Sequence, residues 1–193
     1  MLAIFLVCCL VAGFLSCGQN GGNKVQPSGS GQTSTDSVGL GLNAQLGCRY
    51  IASILIEEGD WASTGPQQDV VLTFQVKDAS EVKQFEGIVE LHPAASFDQE
   101  ASAFVPNSAF VTLPSNGVEL VDDNKVRFGG ASLAKPMEGD FDLGSLTLKT
   151  ASGFTTLAQA SIQVVFFSVG PSSMERDNYE ADDLNMGVVV NQK

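Results

Sequence analysis

The 193-residue sequence is poor in the side chains that most site chemistry needs, with one histidine, one tryptophan, two tyrosines and four cysteines. A catalytic triad or a zinc centre would have to be built on the single imidazole, His92. That residue precedes Pro93 at the end of an apolar run, where a surface turn histidine is expected. Basic residues are scarce as well. Ten Lys and Arg stand singly against 22 Asp and Glu, giving a formal net charge of -12. A phosphate backbone requires clustered cations, so nucleic acid is excluded as the main partner. An anionic lipid surface would repel the folded part for the same reason. Gly129-Gly130 lacks the lysine and the helix of a phosphate loop. Glycosidase chemistry needs one opposed pair of carboxylates, and no motif raises one pair above the rest. The chain is therefore read as not an enzyme, with no cofactor.

Long hydrophobic runs are missing apart from one. Residues 2–15, LAIFLVCCLVAGFL, contain no charged or strongly polar side chain. As a helix they would span about 21 Å at ~1.5 Å per residue, short of a hydrocarbon core of about 30 Å. A signal-peptide hydrophobic region is the better reading. Phe14-Leu15-Ser16-Cys17 then meets the polar, glycine-rich stretch from Gly18 onward. This resembles a bacterial lipoprotein lipobox, in which a small residue precedes a cysteine that is lipidated and becomes residue one. It departs from the pattern at Phe14, where leucine is preferred, and in having no Lys or Arg before the run. The expectation is a signal peptide over 1–16 and lipidation at Cys17. Cys8 and Cys9 would then leave with the signal, and Cys48 would remain as a small buried thiol with no disulfide partner.

What is present divides the rest in two. Residues 17–44 are the lipidated cysteine and a Gly/Ser-rich linker, with Lys24 and Asp36 as its charges. Such a composition cannot bury enough apolar surface to offset chain entropy, and its mean reach is roughly 30 Å. Residues 45–193 form the domain. Their texture is short β-type runs: RYIASILI from Arg49, DVVLTFQV from Asp69, FEGIVEL from Phe85, and a bent or double strand over 104–113. Val118–Val121 and Lys125–Phe128 flank the hairpin turn Asp122-Asp123-Asn124. Gly144–Lys149 alternates, with Leu146 and Leu148 inward. IQVVFFSV from Ile162 is the most apolar run and is expected to be central and buried. GVVVN from Gly187 is the last. Helical signals are confined to single turns at 78–83 and 155–160. The expected fold is all-β, an antiparallel jelly-roll sandwich of eight to nine strands.

Calcium is the metal that suits hard oxygen ligands, and two acidic groups are open to it: Asp140 with Asp142, and Asp177, Asn178, Glu180, Asp182 and Asp183. Neither has EF-hand spacing, so solvated acidic loops are expected and no metal is assigned. Sugar-binding sandwiches display a strip of Trp or Tyr. Trp61, in the loop Asp60-Trp61-Ala62-Ser63, is the candidate for such contacts, with Tyr50 and Tyr179 the other members of the stock.

The order of elements from Val70 resembles a cohesin domain. The resemblance is carried by VVLTFQVKDASEVKQFEGIVELHP, by KVRFGGA from Lys125, by DLGSLTL from Asp142 and by the terminal GVVVN, covering residues 48 to 191. Leu91-His92-Pro93 stands where cohesins carry Tyr-Asp-Pro, sharing only the proline. The resemblance implies a nine-stranded jelly roll and a non-catalytic role. In that role one sheet face receives a partner module, a dockerin, often in systems that break down polysaccharide. The sequence is not itself a dockerin, because it lacks paired Asp-x-Asn-x-Asp-Gly loops. The expected protein is thus a lipid-anchored binding module facing outward on a bacterial cell envelope. Gly18 carries no inner-membrane retention Asp, which favours the outer membrane where one exists. The alternative is a carbohydrate-binding sandwich using Trp61 and nearby loops.

Overall fold

The computed structural model describes residues 40–192, apart from Cys48, Leu113 and Ser115. Contacts divide the chain into Met1–Thr35 and Asp36–Lys193, and the described residues all belong to the second unit. The expected signal peptide, the lipidation of Cys17, most of the linker and the role assigned to Cys48 lie outside the described residues.

Two antiparallel sheets form a sandwich. The five-stranded sheet runs β1 (Asn43–Gln45), β2 (Ser53–Ile56), β3 (Asp69–Val82), β8 (Met137–Thr150), β5 (Phe97–Pro106) in spatial order. The six-stranded sheet runs β10 (Asp177–Glu180), β9 (Ala160–Gly170), β4 (Gln84–His92), β7 (Lys125–Ala131), β6 (Val118–Asp122). Its sixth strand, β11 (Met186–Val190), pairs with the Ala160–Val164 half of β9, while β10 takes the Phe166–Val169 half. A one-turn helix, α1 (Ala181–Leu184), joins β10 to β11.

Alternation makes the sandwich. Val70, Leu72, Phe74 and Val76 on β3, and Leu146 and Leu148 on β8, are all buried at 1 % exposure or less. Against them the second sheet sets Phe85, Val89 and Leu91 from β4, and Val126 and Phe128 from β7. Aromatic rings knit the layers together. Phe74 lies 4.7 Å from Phe128, Phe128 lies 4.9 Å from Phe104, and Phe104 meets Phe85 edge-on at 5.9 Å. Each such pair adds about 0.5–1.5 kcal/mol beyond area burial. Gly87 makes room for this stack, since a Cβ there would sit 2.4 Å from the Phe128 ring.

Among the described residues there are eleven strands, against the eight to nine expected. The short β1 and β10 are the additions, too brief to show a period in sequence. Three details correct the expected boundaries. Composition places Gly41–Ala44 in the linker, yet Gly41 bridges Met186, β1 begins at Asn43 and Ala44 is buried. The single turn expected at 78–83 is instead the far half of β3, still paired to β8 through Ala79↔Gly139 and Val82↔Met137. Burial of Ala79 and Val82 favours the ladder, and positive φ at Asp78 (49°) and Glu81 (56°) absorbs the bulges. The single turn at 155–160 is a hydrogen-bonded turn, Ala158 N–H to the Thr155 carbonyl, ahead of β9.

Candidate binding face

The outward side of the six-stranded sheet is where this chain departs from simple alternation. On β4, FEGIVEL turns Phe85, Val89 and Leu91 inward and leaves Glu86, Ile88 and Glu90 outside. On β9, Ile162 and Val164 point inward, so strict alternation would bury Phe166 as well. A bulge against β4 intervenes. Ile88 pairs with Phe166 while Val89 pairs with Val164, leaving Val165 as the extra residue. Parity therefore resets. Phe167 and Val169 are buried, and Phe166 emerges beside Ile88 as a half-buried surface ring.

Polar groups frame this apolar pair. One row across the sheet reads Glu119, Arg127, Ile88, Phe166, Glu180. The Arg127 Nη1 donates to Glu119 Oε2 at 2.8 Å, and its Nε lies 3.2 Å from Glu86 Oε1 in an ion pair. Arg176 Nη1 approaches Glu86 Oε2 at 3.4 Å. On the other side Asn124 Nδ2 donates to Glu90 Oε1 at 2.8 Å, and His92 Nε2 lies 3.5 Å from Glu90 Oε2. A hollow opens beyond each end of the strip. One, about 470 Å³, has Gly129, Glu86 and Ser168 among its lining residues, with Leu133 at 85 % exposure. The other, about 710 Å³, is lined by His92, Ser161, Gln163 and Val189 among others. The face thus sets two adjacent apolar side chains within a frame of fixed charges.

The residues singled out in sequence are placed elsewhere. Trp61 is half-buried against the core, and its carbonyl accepts the Asn191 N–H at 2.8 Å. Tyr50 and Tyr179 are buried, so the three make no stacking strip. Burial pushes the Tyr179 hydroxyl well above the ordinary phenol range, and neighbouring Asp177 adds to this. Both acidic groups considered for calcium have other engagements. Asp140 accepts from the Asp78 N–H at 3.0 Å and pairs with Lys77 at 3.2 Å. Asp177 is buried, accepting from the Arg49 backbone N–H at 3.0 Å and from its guanidinium at 3.2 and 3.3 Å. Among the described residues no three His, Cys, Asp or Glu side chains are grouped to hold a metal ion. His92 is half-exposed at the end of β4.

Sequence reasoning missed Phe166 because the bulge is set by pairing. The doublets Val164-Val165 and Phe166-Phe167 are the one visible sign that alternation fails there.

No family model matches the sequence, and no curated protein matches it. Solved structures do. A cohesin module from a family 33 glycoside hydrolase of Clostridium perfringens superposes with a TM-score of 0.55 over 74 % of this chain and 96 % of its own, at 17 % identity. The fold is cohesin-like. Other cohesins overlie it less closely. The sixth cohesin of Acetivibrio cellulolyticus scaffoldin B, solved with a Cel5 dockerin, gives 0.42 at 15 % identity, covering 60 % of this chain and 84 % of that one. A type I cohesin–dockerin complex from Clostridium thermocellum gives 0.45 at 12 % identity, covering 64 % and 89 %.

Proposed function

We propose that this chain is a non-catalytic binding module that takes a dockerin-type protein on the outer face of its six-stranded sheet. We further propose that lipidated Cys17 tethers it, facing outward, to a bacterial cell envelope, in a system linked to polysaccharide breakdown. The observation behind the docking reading is the Ile88–Phe166 pair, set on the surface by a bulge and framed by the Arg127, Arg176 and Glu90 pairings. A cohesin-like sandwich with such a face is suited to surface contact rather than to turnover. The anchor reading rests on the lipobox-like Leu15-Ser16-Cys17. No helix among the described residues is long and apolar enough to cross a membrane.

Two measurements test it. Immobilised protein, from residue 17 with Cys17→Ser, is offered a panel of dockerin modules and insoluble polysaccharides. Saturable capture of a dockerin is expected, and retention on polysaccharide alone would overturn the protein-partner reading. Palmitate labelling of cells expressing the full chain should be abolished by Cys17→Ser. Labelling that survives the substitution removes the anchor.

A further inference from the structure

The open side of the sandwich carries a second surface, separate from the docking face. β5 and β6 are the edge strands of the two sheets on this side, with β1 and the β10/β11 pair at the opposite ends. β5 leaves its ladder after Asp98, opposite Lys149, and rejoins it at Ala103, opposite Thr147. Four residues, 99–102, thus bulge past the single Leu148 of β8. With Pro106 at its far end, β5 is a blunted edge. β6 carries a smaller irregularity, one extra residue at Val121, and just past its end the Asp123 carbonyl accepts from the Gln99 side-chain amide. The strand pairs with β7 on one side, and its other edge has no strand partner among the described residues.

Between these edges runs a groove of about 650 Å³. Leu120 and Val121 line it, 46 % and 41 % exposed, Val121 being the extra residue where β6 shifts register against β7. Asp98, Glu100, Asp122 and Asp123 also line it, and no Lys or Arg does. Among the described residues none of these four carboxylates forms an ion pair, whereas Glu86 and Glu119 on the docking face both do. A second copy of the chain is a poor occupant, because two such edges would bring eight carboxylates together in a protein of net charge -12.

We propose that β6 accepts an extended basic peptide as an added strand. Main-chain hydrogen bonds to the free edge supply the binding. Alternate side chains of the peptide cover Leu120 and Val121, and its Lys or Arg residues lie among the four carboxylates. This surface does not depend on the dockerin reading.

The test uses the full chain in neutral detergent micelles and a labelled, end-blocked hexapeptide of alternating Lys and Val, followed by fluorescence anisotropy. A second peptide is N-methylated at alternate backbone positions, which removes main-chain donors and keeps the charge. Saturable binding is expected, weakened at least about tenfold by N-methylation and about tenfold by the exposed double variant Asp98→Asn/Glu100→Gln. Ile88→Lys should leave it unchanged, which separates this surface from the docking face. No saturable binding, equal binding of the N-methylated peptide or equal binding by the double variant overturns the proposal. So does crosslinking that shows β6 occupied by a second copy.

Discussion

On the five-stranded sheet, the outward positions of β3 and β8 hold Thr73, Gln75, Ser145 and Thr147, and the Thr73 and Ser145 hydroxyls bond each other at 2.9 Å. Its exposed aliphatics, Val71 and Val105, stand apart, and its ion pairs, Lys149–Asp69 and Lys77–Asp140, are single. The six-stranded sheet places Ile88 and Phe166 side by side and surrounds them with Arg127 shared between Glu86 and Glu119, and Arg176 on Glu86. Both faces arise from strands of period two. The first keeps its inward and outward sets across its own register shifts, giving a hydroxyl-rich solvated surface. In the second, the bulge at Val165 turns a phenylalanine outward. Ile88 and Phe166 are each only partly exposed, less so than Val71 or Val105. What sets the second face apart is that its two apolar side chains are adjacent and enclosed by ion pairs, and the proposed docking reading rests on that adjacency.

The sharpest way to break this contrast is to place the same charge on each face. Ile88→Lys should lower affinity for a captured dockerin by at least about 100-fold, as burying an unpaired ammonium at a patch centre is costly. Val71→Lys should change it less than about twofold. Isothermal titration of both variants decides the matter, and a loss confined to Val71→Lys would reverse the assignment of faces. Next in size is an effect on stability without one on affinity. The buried Thr150 hydroxyl, at the end of β8, donates to the Gly65 carbonyl at 2.6 Å and accepts the Gln68 N–H at 2.9 Å. Thr150→Val should cost about 1–3 kcal/mol. A urea midpoint that falls with unchanged slope, and dockerin affinity that does not move, would show that this end of the five-stranded sheet serves the fold alone.

These contrasts also mark what was legible in the sequence. Val70 to Val76 and Gly144 to Lys149 alternate without interruption, and their inward residues could be named in advance because the pleat leaves no choice. IQVVFFSV was correctly central, but its bulge is decided by pairing with Ile88 and Val89, so Phe166 read as core. Asp177 read as part of an acidic loop. It is buried because Arg49, 128 positions away, supplies three donors, a contact that no local pattern encodes. Trp61 drew attention by rarity, yet its loop folds it against the core beside Asn191. Alternation was readable, and the long-range pairing that overrides it was not.

A smaller effect sharpens the electrostatic half of the comparison. Arg127 bridges two carboxylates at the margin of the apolar pair, whereas Lys149 holds one carboxylate at 3.8 Å. Arg127→Ala should weaken dockerin binding about tenfold and steepen neither urea nor thermal unfolding, since exposed pairs stabilise folds by about 0–1 kcal/mol. Lys149→Ala should leave affinity unchanged. Raising salt should reduce the wild-type affinity more than that of Arg127→Ala, and equal salt dependence would show that the guanidinium does not contribute to association.

The smallest effect belongs to Asp140, on the rim of the five-stranded sheet. The Asp78 N–H, and after it the Lys77 ammonium, hold its carboxyl below the ordinary value of 3.8. A carboxylate whose folded value is depressed contributes stability that is complete above its unfolded value and is lost as pH falls through the folded one. Asp140→Asn should therefore be slightly less stable than wild type at pH 7, and the two should converge as pH falls through the depressed folded value. The side chain is largely exposed, so the separation at neutral pH will be slight and should shrink with salt. Thermal midpoints at pH 7 and pH 2.5 measure it. A difference that persists at the lower pH would mean that the substitution acts through shape and hydrogen bonding, and that charge at this rim does nothing for the sheet.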